Sequence, residues 1–159
     1  MYKRQILGSL HSLDLDGHLV GVGRVLYSDP DTTMRRYLAE IVQMIEESDV
    51  FQVLAHVDFP RRYWPGGQHR YVEKAYEEEY RAVFRALAHT GRALEVNTTS
   101  PLASADQVRW FHEEGGEAVS FGSDAHQPGA VGQQFDLAVD VVEAAGFRPG
   151  RDRFDFWRR

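Results

Sequence analysis

Short apolar runs alternate along this chain with longer segments whose apolar residues recur every three or four positions. The runs at 5–10, 51–56, 92–97 and 118–121 have strand length, and Val53-Leu54-Ala55 and Ala118-Val119 read as strands covered on both faces. The periodic segments read as helices. Between about 31 and 47, Met34, Tyr37, Leu38, Ile41, Val42 and Ile45 form one apolar stripe, with Asp31 as the expected N-cap. Between about 71 and 89 the stripe is Val72, Tyr76, Tyr80, Val83, Phe84 and Leu87, and Gly91 is placed to end it in a left-handed turn. Ser104-Ala105-Asp106-Gln107 has the pattern of a capping box and opens a short helix that ends at Gly115-Gly116. A last helix, about 130 to 145, carries Val131, Phe135, Ala138, Val139 and Val142 and stops at Gly146. Residues 14–23 read as a polar, glycine-bearing connection, and 60–67 as a loop with two prolines and two glycines. The order βαβαβαβα predicts an α/β fold with a mainly parallel sheet and helices outside, from a barrel or an open sheet.

Composition narrows the chemistry. The chain has 159 residues, 43% of them hydrophobic, enough for one domain with a real core over 1–159. The net charge of -6, with no basic stripe, argues against a nucleic-acid partner. There are no cysteines, so any metal must sit among imidazoles, carboxylates and water. Neither a signal peptide nor a membrane span is legible, which makes the cytoplasm the expected location and a membrane partner unexpected.

Possible ligands cluster where the apolar runs end, the place where α/β proteins build sites. The first run leads into His11, the second into His56-Val57-Asp58, and the third carries Glu95 and ends at Asn97. The fourth ends in Gly122-Ser123-Asp124-Ala125-His126, an Asp and a His two positions apart on one extended segment. Each has a plain alternative: a helix cap for Asp124, hydrogen-bonded core groups for His11 and His56, and an arginine pair for Glu95. Asp58 suits either orientation of an imidazole or a turn. Arg61 and Arg62 follow His56 in the loop and suit bidentate capture of a phosphate, or a solvated surface. No glycine-rich nucleotide cradle and no serine-hydrolase elbow is present.

Gly8-Ser9-Leu10-His11, Ala55-His56-Val57-Asp58, Leu94-Glu95-Val96-Asn97-Thr98 and Gly122-Ser123-Asp124-Ala125-His126, in that order, resemble the C-terminal part of the PHP (polymerase and histidinol phosphatase) family, nearest its histidinol-phosphatase branch. The resemblance implies a distorted seven-stranded (β/α) barrel, TIM-barrel-like, of which this chain supplies about four units. It implies two or three divalent metal ions (Mn, Fe or Zn) at the carboxyl ends of the strands, and hydrolysis of a phosphate ester. His11 and His56 would share one metal, Asp124 would bind another and His126 a third. Arg62 would hold the phosphate, with Arg61 and Asn97 as further substrate contacts and Asp124 serving catalysis.

The family's opening His-x-His strand end has no counterpart before His11, so 1–159 is expected to be a single, incomplete barrel domain. The leading expectation is a metal-dependent phosphatase of histidinol-phosphatase type, acting on a small phosphate monoester as in histidine biosynthesis through a metal-activated water, with little turnover from these residues alone. The alternatives are a non-catalytic truncated barrel acting as an interaction module, self-associating through open strand edges, and a phosphodiesterase acting on nucleic acid.

Overall fold

The computed structural model describes residues 5–67, 69–99 and 104–159. In chain order they form β1 (Leu7–Gly8), β2 (Ser12–Leu15), β3 (His18–Gly21), α1 (Val22–Val25), α2 (Pro30–Glu47), β4 (Val53–Leu54), α3 (Glu77–Thr90), β5 (Ala93–Asn97), α4 (Ala105–Glu113), β6 (Ala118–Gly122), α5 (Phe135–Ala144) and β7 (Trp157–Arg158). One five-stranded sheet is ordered β1-β4-β5-β6-β7. Its first four strands are parallel, as the alternation of elements requires, and β7 is added antiparallel to β6.

The two-residue period of a strand divides the sheet into faces with different duties. Leu54, Leu94, Val96 and Val119 point into the main core with Tyr37, Leu38 and Ile41 of α2 and Val83, Phe84 and Leu87 of α3. The opposite face begins with a small apolar patch of Val53, Ala93 and Ala118. Further along the same face come Glu95, level with Ser120, and then Asn97, level with Gly122. Side chains on this face therefore become polar toward the carboxyl ends of the strands.

Several expectations change. The helices expected from about 71 and 130 begin later, at Glu77 and Phe135, which leaves Val72 and Val131 outside them and exposed. Residues 14–23 are not a connection but most of a β2–β3 hairpin, closed by Asp16 and Gly17, both with positive φ (52° and 83°). That is the conformation an Asp-Gly hairpin loop demands. The N-cap of α2 is Asp29, whose carboxylate accepts the Thr32 amide; Asp31 lies inside the first turn and accepts the Tyr76 hydroxyl. The Ser104 capping box is half formed. Ser104 accepts the Gln107 amide, while the Gln107 side chain donates to Glu73 instead of returning to Ser104. Gly91 ends α3 in the left-handed conformation as expected.

The Thr32 hydroxyl and amide beside Asp29 hold its carboxyl below the usual carboxylate value. A depressed carboxylate adds stability above its unfolded pKa, and that contribution is lost as pH falls through its folded pKa. Asp29→Ala is expected to lower the melting temperature by a few degrees at neutral pH. In calorimetric scans the gap to the wild type should close in acid; a gap independent of pH would rule out the ionised cap.

Candidate active site

His11 and His56 are brought together by the register of β1 against β4. Beyond β4 the chain turns at His56, whose φ is 28°, a left-handed conformation rare for a residue with a side chain. The turn is held by a buried group: the His56 amide donates to Glu95 Oε2 at 2.9 Å. The His11 carbonyl accepts the Val22 amide at 2.9 Å, fixing His11 to the start of α1. The imidazoles then lie with Nε2 atoms 3.3 Å apart and planes inclined by 28°. Two nitrogens about 2.0–2.1 Å from one tetrahedral zinc are about 3.3–3.4 Å apart, so the pair has the spacing of two ligands on a single cation. Burial pushes the His56 ring below the ordinary histidine pKa, with Arg62 acting in the same direction, which favours the neutral form a metal needs.

A second cluster lies beside this pair. A 3-10 turn, Phe59–Tyr63, follows His56 and carries Arg62 to the rim. Its guanidinium donates to Asp124 Oδ2 at 2.6 Å and to Asn97 Oδ1 at 3.0 Å. Asp124 also has a left-handed φ, 47°, beyond the end of β6. His126 Nδ1 is 2.9 Å from the Asp124 carbonyl oxygen, a contact that leaves Nε2 for another partner. Phe59 joins the clusters. Its ring is 4.6 Å from His11 and 5.1 Å from His56, with the Arg62 guanidinium 5.5 Å away.

Among the described residues Glu95 pairs with no arginine. Its carboxylate is buried and accepts from the His56 amide and from Asn97 Nδ2 at 3.1 Å. It fits because residue 122 is glycine: a Cβ there would lie 1.9 Å from Glu95 Oε1. Asp58 is likewise buried, and desolvation pushes its carboxyl up to about 6. It does not contact the His56 ring; its nearest charge is Arg61, at 3.7 Å. Arg61 thus points inward, 3.8 Å from Glu73 and over the Tyr71 ring, and Arg62 alone of the two arginines reaches Asp124. Among the described residues no three His, Asp or Glu side chains converge at metal-binding distance, so the histidine pair and the Arg62–Asp124 pair remain separate clusters.

The chain matches curated proteins that carry a phosphatase name. It is 30% identical over 124 residues to a probable histidinol-phosphatase of Thermotoga maritima, covering 74% of this chain and 51% of that protein. It is 32% identical over 152 residues to a probable histidinol-phosphatase of Deinococcus radiodurans, covering 90% and 55%. The chain spans about half the length of these relatives. The fold matches a crystal structure of histidinol phosphate phosphatase from Lactococcus lactis, complexed with zinc, L-histidinol and phosphate. The TM-score is 0.72 at 20% identity, over 89% of this chain and 56% of the other. No protein-family model matches the chain. The architecture is that of a PHP-type α/β protein. Within that class, this chain is related to the histidinol phosphatases.

Gly122→Ala is expected to drive the Glu95 carboxylate off the His56 amide and to destabilise the fold by about 2–3 kcal/mol in urea unfolding. Glu95→Ala should recover part of that loss in the double variant, because it empties the space the new methyl needs. Strict additivity of the two substitutions would mean that they do not share this space.

Proposed function

We propose that this chain carries part of the active site of a metal-dependent phosphoesterase of histidinol-phosphatase type, acting on a small phosphate monoester. The observation that carries the proposal is the His11–His56 spacing of 3.3 Å beside an arginine already engaged with a carboxylate. His11 and His56 would hold one divalent cation. Asp124 and the Nε2 of His126 are donors for others once Asp124 exchanges its Arg62 contact. A divalent cation bound there supplies an acidified water and a Lewis acid for a phosphoryl oxygen.

The chain's own groups do the remaining work. Arg62 offers two N–H groups on one face, the arrangement that fits two phosphoryl oxygens, and Asn97 fixes its plane. When phosphate takes Arg62, Asp124 is left to a cation, so anion and metal binding support each other. Arg61 serves as a brace: with Asp58 and Glu73 it anchors the turn that presents Arg62. Asn97 Nδ2, held by Glu95, keeps its oxygen aimed at the arginine.

Zinc titration by calorimetry tests this directly. A saturable site is expected. His11→Ala and His56→Ala should each weaken it by more than the roughly 10–100-fold that loss of an outer partner costs. Arg62→Ala should spare zinc binding and weaken inorganic phosphate binding to the zinc-loaded chain by about tenfold or more, the loss of a charge-assisted hydrogen bond. Zinc affinity indifferent to both histidine substitutions would defeat the proposal.

A further inference from the structure

A cleft of about 330 Å³ opens between α1 and the 3-10 turn that carries Arg62, with His11 at one end. Its volume is that of a small-molecule site. Its walls are aromatic and continuous with the histidine pair: Phe59 lies 4.6 Å from His11, and Tyr63 lies 5.3 Å from Phe59. The Tyr63 ring rests flat on Gly23, where a Cβ would come within 3.0 Å of it, so this wall is closed against the backbone of α1. Across the opening stands Tyr27, 72% exposed, with Arg24 beside it. Tyr27 and Tyr63 contribute little to the core, yet both face this cleft.

The charge in the cleft is of one sign. Arg24 lines it, and among the described residues no Asp or Glu does. A cation entering would gain from the exposed tyrosine faces but would lie beside the Arg24 guanidinium, with Arg62 5.5 Å from the Phe59 ring. A flat neutral or anionic group gains from the rings and from Arg24 together.

We propose that this cleft receives the organic part of the phosphate ester, and that this part is a flat, apolar group without positive charge: an aryl phosphate, with Arg24, Tyr27 and Tyr63 setting the preference. The inference rests on the phosphoesterase proposal for the position of the phosphate beside Arg62. It distinguishes this chain's preferred ligand from L-histidinol phosphate, whose organic part carries an ammonium group.

Two titrations test the cleft and the phosphate site separately. Fluorescence titration of the metal-free chain with 2-naphthoate, which has no phosphoryl group, should show saturable binding weakened about tenfold by Tyr27→Ala and by Arg24→Glu. Calorimetry of the zinc-loaded chain should show phenyl phosphate binding about tenfold tighter than L-histidinol phosphate, with Arg24→Glu narrowing or reversing that order. No naphthoate binding, binding indifferent to both substitutions, or L-histidinol phosphate binding as tightly as phenyl phosphate overturns the assignment. Failure of the zinc-loaded chain to bind inorganic phosphate would instead remove the phosphoesterase proposal, while the naphthoate titration still decides the cleft.

Discussion

A buried carboxylate ties the strand ends together. Glu95 stands in the middle strand of the sheet, accepts the amide of His56 from one side and the side chain of Asn97 from its own strand, and leans over Gly122 of the next. A carboxylate taken out of water is costly unless hydrogen bonds replace its hydration, and here the replacements come from the residues that shape the rim. The left-handed backbone at His56 is stabilised by that bond, and the direction of its imidazole follows.

The electrostatics above this support divide into two halves. One is a pair of imidazoles, with His56 disposed to stay neutral by burial. The other is an ion pair, Arg62 with Asp124, partly open to water and therefore modest in strength and exchangeable. The first half suits a cation and the second an incoming anion. Phe59 packs against both histidine rings and carries the Arg62 guanidinium 5.5 Å from its own ring, so it touches both halves. Behind the turn, Asp58 and Arg61 hold each other at 3.7 Å with Glu73 nearby, an arrangement that stiffens the backbone presenting Arg62.

Much of the scaffold was legible in the sequence, because α2 and α3 repeat their apolar residues with helical spacing and the parallel strands are unbroken apolar runs. The β2–β3 hairpin was missed, although Asp16-Gly17 between Leu15 and His18 is a strong hairpin signal. Its outward Leu19 blurred the alternation. β7 has only two residues and is held by the Trp157 ring against Phe121, a contact no local pattern announces. At the site, strand-end placement put His11, His56 and Asp124 on one rim and the family resemblance paired the two histidines, but the Arg62–Asp124 contact had no signal in the sequence, because Arg62 reaches it from a loop. The inward turn of Arg61 had none either, since neighbouring arginines on a 3-10 turn differ in direction and only the packing of Asp58 and Glu73 decides which one faces inside. Nor had the role of Glu95, which depends on an empty position in the adjacent strand.

Two imidazoles from separate strand ends are spaced for one cation. X-ray absorption at the zinc edge of the zinc-loaded chain measures this most directly. Two imidazole nitrogens are expected in the first shell at about 2.0–2.1 Å, with the outer-ring scattering that marks histidine, and that signal should fall in His11→Ala. A shell of oxygens alone, without imidazole scattering, would contradict this pairing.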